Sequence, residues 1–410
     1  MAHKAGFICV FSGKRDSYQV PLGLQEAGLL DCLVSDFYAP RLGSRLLPLW
    51  LRGRRDDALP RSRTVSVLSA FLLSTALKVF NVRIISLYER VSRLLAASAE
   101  RIARKRAGSL YCYHTFLPAA VPETTCLIVF VFHPLAALER EILGQDGARF
   151  PEVAATARTL CEGALAKDLA IDWERADGVV CASSFTARSV IADGCPPEKI
   201  AVIPYGLPET PRAPVVPLIG AREATAPARF LFVGQGVNRK GLHHLIRAWQ
   251  AWRKTSALPA RLVIVAYYVE PEIRAMIDHP EIELLGRQSR AALNRHFADA
   301  DVFVLPSLVE GFGLVYLEAL AHGCHVIGTE NTGLPELPLG DGERTLVEAG
   351  SVDDLAAALE RCATKAREGR FDRAVIQASA ARWTQADFRA RIGEHARQTL
   401  EKSGRPASAL

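Results

Sequence analysis

The 410-residue sequence has nine cysteines but no Cys-x-x-Cys pair, and their number is odd. That excludes a disulfide framework and a cysteine zinc cluster, and predicts reduced, buried thiols of a cytoplasmic protein. There is no run of 18 apolar residues either. The longest candidate, Val65 to Leu77, ends at Lys78, so no membrane-spanning helix is expected. The opening MAHKAGFICVFSGKR has too short an apolar stretch for a signal peptide and reads as a first strand. No acidic pair stands in a loop suited to a metal, because Asp299-Ala300-Asp301 precedes a strand rather than following one. No metal and no cofactor are therefore expected.

Nearly half of the residues are apolar, enough for a large core and about two domains. The net charge of +6 is unevenly placed. Between Arg41 and Arg106, fifteen Lys and Arg face only four acids, interleaved with Leu46, Leu47, Leu49, Trp50, Leu51, Phe71, Leu72 and Leu73. Such a segment suits peripheral contact with the anionic inner face of a membrane or a lipid-linked acceptor, and equally a solvated helical face. It has few aromatics on which bases could stack, so no nucleic acid partner is expected.

Short apolar runs alternate with helical patterns along the chain. FICVFS (7–12), CLVSDFY (32–38), SLYCYH (109–114), CLIVFVFH (126–133) and GVVCAS (178–183) read as strands. Helices are predicted over 20–28, 139–164 and 185–192, the last capped by Ser183 or Ser184. Five prolines between 207 and 228 mark a linker. Beyond it the alternation resumes with RFLFVG (229–234), a helix over 242–253, RLVIVAYY (261–268), CHVIGT (324–329), and a strand and helix within 345–362. A final helix sets Phe388, Ile392 and Leu400 at multiples of four. The pattern predicts an α/β protein with two doubly wound parallel, Rossmann-like sheets facing a cleft. The bounds are a first domain over 1–206, the linker over 207–228, a second domain over 229–385, and a terminal helix over 386–410.

The most informative stretch is DADVFVLPSLVEGFGLVYLE, from Asp299 to Glu318. It reads as a strand over 302–305, a loop carrying Gly311 and Gly313 around Phe312, and a helix from Leu314 to about His322. A helix that starts at a glycine loop offers unpaired N–H groups and the positive end of its dipole, which is an anion site. Glu310 and Glu318 frame that site. As carboxylates they would avoid phosphate and accept hydrogen bonds from the hydroxyl groups on either side of it. A diphosphate with a sugar at each end, a nucleotide-sugar, meets that requirement.

EGFGLVYLE, preceded by ADVFVLPS, resembles the Glu-x7-Glu motif of the retaining family-4 (group 1) glycosyltransferases of the GT-B fold. The resemblance extends over roughly 174–360 and is weak over 1–130. It implies a metal-independent hexosyltransferase taking a sugar from UDP- or GDP-sugar to an acceptor hydroxyl, in bacterial surface polysaccharide or glycolipid synthesis. It implies that the first domain binds the acceptor and the second the nucleotide-sugar, and that the terminal helix returns to the first domain. It further implies that Glu318 binds ribose and Glu310 the donor sugar, and that Gly311, Phe312, Gly313 and Leu314 present backbone amides. Lys240, before Gly241, and its neighbour Arg239 would stabilise the leaving diphosphate. His133 would line the sugar from the first domain, and Arg287 would lie near the base. The sequence departs from the family twice. Gln235 stands where relatives carry an Arg, and GKRDSYQ (13–19) replaces a Gly-Gly loop, leaving Lys14 and Arg15 as cations on the acceptor side. With no carboxylate nucleophile evident, retention implies front-face attack guided by the leaving phosphate. The competing readings are a sugar-nucleotide epimerase or a phosphorylase of the same fold, and a degenerate scaffold without turnover.

Overall fold

The computed structural model describes residues 6–40, 47–79, 85–162, 171–208 and 226–405. The first sheet holds β1 (Phe7–Val10), β2 (Leu30–Ser35), β3 (Thr64–Ser66), β4 (Ser109–Tyr113), β5 (Leu127–Val131), β6 (Gly178–Cys181) and β7 (Ile200–Val202), in the order β3-β2-β1-β4-β5-β6-β7. The second holds β8 (Ala228–Val233), β9 (Ala260–Val265), β10 (Ile282–Leu285), β11 (Val302–Leu305), β12 (His325–Thr329) and β13 (Arg344–Val347), in the order β10-β9-β8-β11-β12-β13. The pairings are parallel, for example β1 with β4 and β8 with β9. Parallel sheets are covered on both faces, so β1, β4, β5 and β11 are buried along their whole length and read as continuous apolar runs.

Both sheets reverse winding direction once, between β1 and β4 and between β8 and β11. Loops leaving the carboxyl ends on either side of such a reversal diverge and open a crevice. In the first sheet these are residues 11–18 and the turn His114–Phe116. In the second they are residues 234–241 and 306–313. The topology thus brings the GKRDSYQ loop, Lys240 and Glu310 to crevices.

Several elements differ from the sequence expectation. The helix expected over 139–164 is two, Ala136–Arg149 and Pro151–Glu162, because Pro151 cannot continue the first and opens the second. The second strand lies at Leu30–Ser35, not 32–38. Strands β3, β7 and β10 and the helix Arg373–Ala380 are additional. Ser183 is the cap before the helix Ser184–Ala192, accepting from the Thr186 amide. Cys9, Cys32, Cys112, Cys126, Cys181, Cys195, Cys324 and Cys362 are buried thiols. No helix among the described residues is long and apolar enough to cross a membrane.

The helix Gln385–Lys402 packs on the first domain. Phe388 stacks on Tyr205 and meets Phe130 edge-on, and Arg389 pairs with Glu26 at 2.8 Å. Burying Phe388 alone contributes about 1.5–3 kcal/mol. Of the linker, residues 209–225 lie outside the described residues. The two passages between the sheets are bonded where they meet. Leu207 donates to the Trp383 carbonyl and accepts from the Gln385 amide, both at 2.9 Å. Gly206 permits this, since a Cβ there would run into the Thr384 carbonyl.

Part of the basic segment serves the fold. Arg54 is buried against Asp36 at 2.7 Å, Arg106 pairs with Asp31 at 2.8 Å, and Arg63 donates to the Leu30 carbonyl. Arg61, Arg90, Arg93 and Arg101 remain exposed, with Leu68, Leu72, Tyr88 and Leu94. Arg41, Arg45 and Leu46 lie outside the described residues.

Candidate active site

A cleft of roughly 770 Å³ opens between the two crevices. The second domain contributes Gly234, Gln235, Lys240, Tyr267, Arg287, Gln288, Glu310, Phe312, Gly313, Leu314, Val315 and Glu318. The first contributes Asp16, Phe132 and Tyr205.

Two loops of the second domain are laced together. The Arg239 carbonyl accepts from the amides of Leu308 and Val309, at 2.9 and 3.2 Å. Gly241 makes this approach possible: its φ is +67°, and a Cβ would strike the Pro306 carbonyl. The lacing delivers the Lys240 ammonium onto the Glu310 carboxylate, with the Arg239 guanidinium 3.5 Å from the same oxygen. Burial, then the Arg239 charge, pulls the Lys240 ammonium down to about 7. Two cations therefore converge where the Leu314–Ala321 helix begins. Gly313, at φ +84°, turns the chain into that helix, and Leu314 and Val315 of its first turn, where helix amides lack intrahelical partners, line the cleft. Behind the loop, buried Glu270 accepts from the Asn238 amide at 3.2 Å, and burial raises it to about 7.

Glu318, one helix turn further in, pairs through one oxygen with the exposed Arg290 at 2.7 Å. Gln235 donates to the Tyr267 hydroxyl, and Arg287 lies 5.1 Å over the Tyr267 ring. Tyr267 is 58% exposed. Sequence reading passed it over, although an aromatic just past the carboxyl end of β9 was the available signal.

Gly311 is used differently from the expectation of an amide donor. Its N–H meets the Glu310 carboxylate at 3.3 Å, and its carbonyl accepts from Ser183 Oγ at 2.5 Å and Thr186 Oγ1 at 3.3 Å in the first domain. A Cβ on Gly311 would collide with the Phe132 carbonyl. Glu336, in a loop with no role assigned from sequence, accepts from the Ser184 amide at 2.6 Å across the same interface.

His133 follows β5 beside Gly311 and does not line the cleft; Phe132 does. Burial and the nearby Arg239 hold His133 down to about 3, so the ring is neutral. Its Nδ1 is 3.2 Å from the Pro134 carbonyl, which fixes Nδ1–H as donor and leaves Nε2 an acceptor. Lys14 is exposed, whereas Arg15 lies over the Phe132 ring at 4.2 Å. Asp16, not singled out from sequence, accepts from the Tyr113 and Tyr205 hydroxyls at 2.9 Å each.

Among the described residues one group has metal-ligand geometry, Asp146 with His243 and His244, all buried. It lies at the interface between the Ala136–Arg149 and Leu242–Thr255 helices, outside the cleft. The carboxylate accepts from both imidazoles, at 2.9 and 2.7 Å, and those bonds hold Asp146 near 2 against the effect of burial.

Residues 227–365 match the family model of the glycosyl transferases group 1. The chain is 30% identical over 185 residues to the amylovoran biosynthesis glycosyltransferase AmsK of Erwinia amylovora, covering 42% of this chain and 44% of that one. It is 29% identical over 291 residues to the putative colanic acid biosynthesis glycosyltransferase WcaL of Salmonella typhimurium, covering 65% and 64%. The matches thus span less than two thirds of these relatives. Anabaena Alr3699/HepE, solved in complex with UDP, superposes with a TM-score of 0.56 at 16% identity over 97% of this chain and all of that one.

Proposed function

We propose, from the premise that the chain belongs to the group 1 glycosyltransferases through its second domain and has the GT-B fold, that it transfers a sugar from a nucleotide-sugar to an acceptor hydroxyl. The observation that carries this is the convergence of Lys240, Arg239, Glu310 and a helix N-terminus at the second switch point, in a cleft that also holds Glu318. Two cations and helix amides suit a diphosphate, and neutralise it as the sugar–phosphate bond breaks. The diphosphate takes over Lys240 and Arg239, which frees Glu310 for the donor sugar's hydroxyls. Glu318 accepts from the ribose hydroxyls, and the base lies along Tyr267 and Arg287. The charge compensation comes from side chains, so no metal is required. The donor is a UDP- or GDP-sugar. The Alr3699/HepE complex with UDP supports the former.

With donor bound, Glu310 accepts from the sugar's hydroxyls and Glu318 from ribose, and among the described residues of the second domain no further carboxylate lines the cleft, which suits retention through front-face attack. The relatives are named for amylovoran and colanic acid biosynthesis, and the exposed leucines and arginines of the first domain support peripheral membrane contact and a lipid-linked acceptor. Membership of the glycosyltransferases speaks against the epimerase.

The test is thermal denaturation of the purified protein with UDP, GDP and ADP. UDP or GDP should raise Tm in a dose-dependent manner. No shift with any of them overturns the reading in favour of a non-catalytic scaffold, for which Gln235 in place of the family's Arg would be the reason.

A further inference from the structure

The loop after β1 holds a feature that the donor site does not use. Asp16, Ser17 and Tyr18 are consecutive non-glycine residues with φ of +47°, +51° and +63°. Such backbone is uncommon for any one residue with a side chain, and a run of them persists only where the surroundings impose it, typically at functional sites. Here the surroundings are visible. Tyr18 is fully buried under Phe11 and Tyr38, and the hydroxyls of Tyr113 and Tyr205 hold the Asp16 carboxylate.

Both hydroxyls bond the same oxygen, Oδ2. Oδ1 has no hydrogen-bond partner among the described residues, and Asp16 lines the cleft. Tyr205 also packs edge-on against Phe312 of the donor loop, so the carboxylate is positioned against the opposite domain. Phe132 and Tyr205 line the cleft with it, and the Arg15 guanidinium lies over the Phe132 ring.

We propose that Asp16 is a catalytic residue, the general base that receives the proton of the acceptor hydroxyl, and that the reacting end of the acceptor is a neutral sugar. This rests on the nucleotide-sugar reading above. As the acceptor oxygen bonds to the donor's anomeric carbon, its proton passes to Asp16 Oδ1. The bond from that carbon to the diphosphate breaks, and its electron pair leaves on the nucleoside diphosphate. The nucleoside diphosphate thus departs without that proton. Burial raises Asp16 above the ordinary carboxylate range, the direction that suits a base, while the two tyrosine bonds oppose it. A carboxylate at this depth repels a phosphate on the atom next to the reacting hydroxyl, whereas hydroxyls and two aromatic side chains suit a sugar ring.

The test uses the full-length protein, UDP and GDP as binding probes, and UDP-glucose, UDP-galactose and GDP-mannose as donors. p-Nitrophenyl α- and β-hexosides serve as neutral acceptors. At least one glycoside should accelerate nucleoside diphosphate release. Asp16→Asn should lose about 100-fold or more of that acceleration, with nucleotide affinity within about twofold of wild type. Asp16→Asn keeps an oxygen for the Tyr113 and Tyr205 hydroxyls and should hold Tm near wild type, whereas Asp16→Gly relieves the left-handed backbone but strands both hydroxyls and should lower it. Transfer by Asp16→Asn within about fivefold of wild type overturns the role. So does a joint loss of Tm and nucleotide binding in both variants, which would make the residue structural. A wild-type protein that binds UDP or GDP but is accelerated by no glycoside overturns the neutral-sugar acceptor. Failure to bind any nucleotide refutes the donor reading instead, and is seen before any acceptor is added.

Discussion

Lys240 and Glu310 hold one another while no donor is bound, and each has a separate task once it is. The ammonium stands at about 7 in the free protein. A bound diphosphate favours the charged form, so binding raises that value and takes up a proton. Donor affinity should therefore be full below pH 7 and fall as pH rises above it, by up to about tenfold per unit. Calorimetry in buffers of different ionisation enthalpy measures this directly; proton uptake of zero at pH 8 would refute it. Glu318→Ala should weaken UDP binding by roughly 10- to 100-fold, the loss of charge-assisted hydrogen bonds to ribose. Unchanged affinity would remove Glu318 from the ribose site. At this scale the sequence was legible where function is local. Glu310, Glu318 and Lys240 stand in short strings whose spacing carries the chemistry. Asp16 was not legible, because its meaning comes from Tyr113 and Tyr205, 97 and 189 residues away, and from backbone angles that residue type does not reveal. Arg54 misled for the same reason: it read as a surface cation until Asp36 lay beside it.

Strands and glycine loops were the most readable elements. A continuously apolar run has one stable place, the middle of a parallel sheet, so β5 and β11 fall almost where the pattern put them. Helix joins were less so, because the break at Pro151 leaves the apolar period on both sides intact. That break matters, since it sets Asp146 and Glu152 facing the Leu242–Thr255 helix, where Asp146 takes both histidines and Glu152 takes Arg247. Asp146→Ala should leave two buried imidazoles without their acceptor and destabilise the protein on the order of 2 kcal/mol. A denaturant midpoint equal to wild type would show that this interface does not contribute. The helix lies directly after Lys240, so the same variant should weaken donor binding modestly.

The whole molecule is fastened across its cleft at a few named points. Gly311 meets Ser183, Thr186 and Phe132, and Glu336 meets Ser184. Gly311→Ala should hold the domains apart while leaving the donor site of the second domain intact. UDP affinity should stay within about threefold of wild type, and kcat should fall by roughly tenfold or more. A variant with wild-type kcat would show that turnover does not need this contact. Loop identity at such a seam was out of reach of sequence, because what excludes a methyl group at 311 is a carbonyl in the other domain.

The two passages of the chain between the domains are bonded to each other at one described point, where Leu207 bridges Thr384 through the Trp383 carbonyl and the Gln385 amide. A single tether would allow the halves to twist, slide and tilt. A pair of adjacent, mutually bonded tethers behaves as a door hinge does. It removes twist about its own length and leaves one swing as the soft degree of freedom, so each opening should return Gly311 to Ser183 along the same arc.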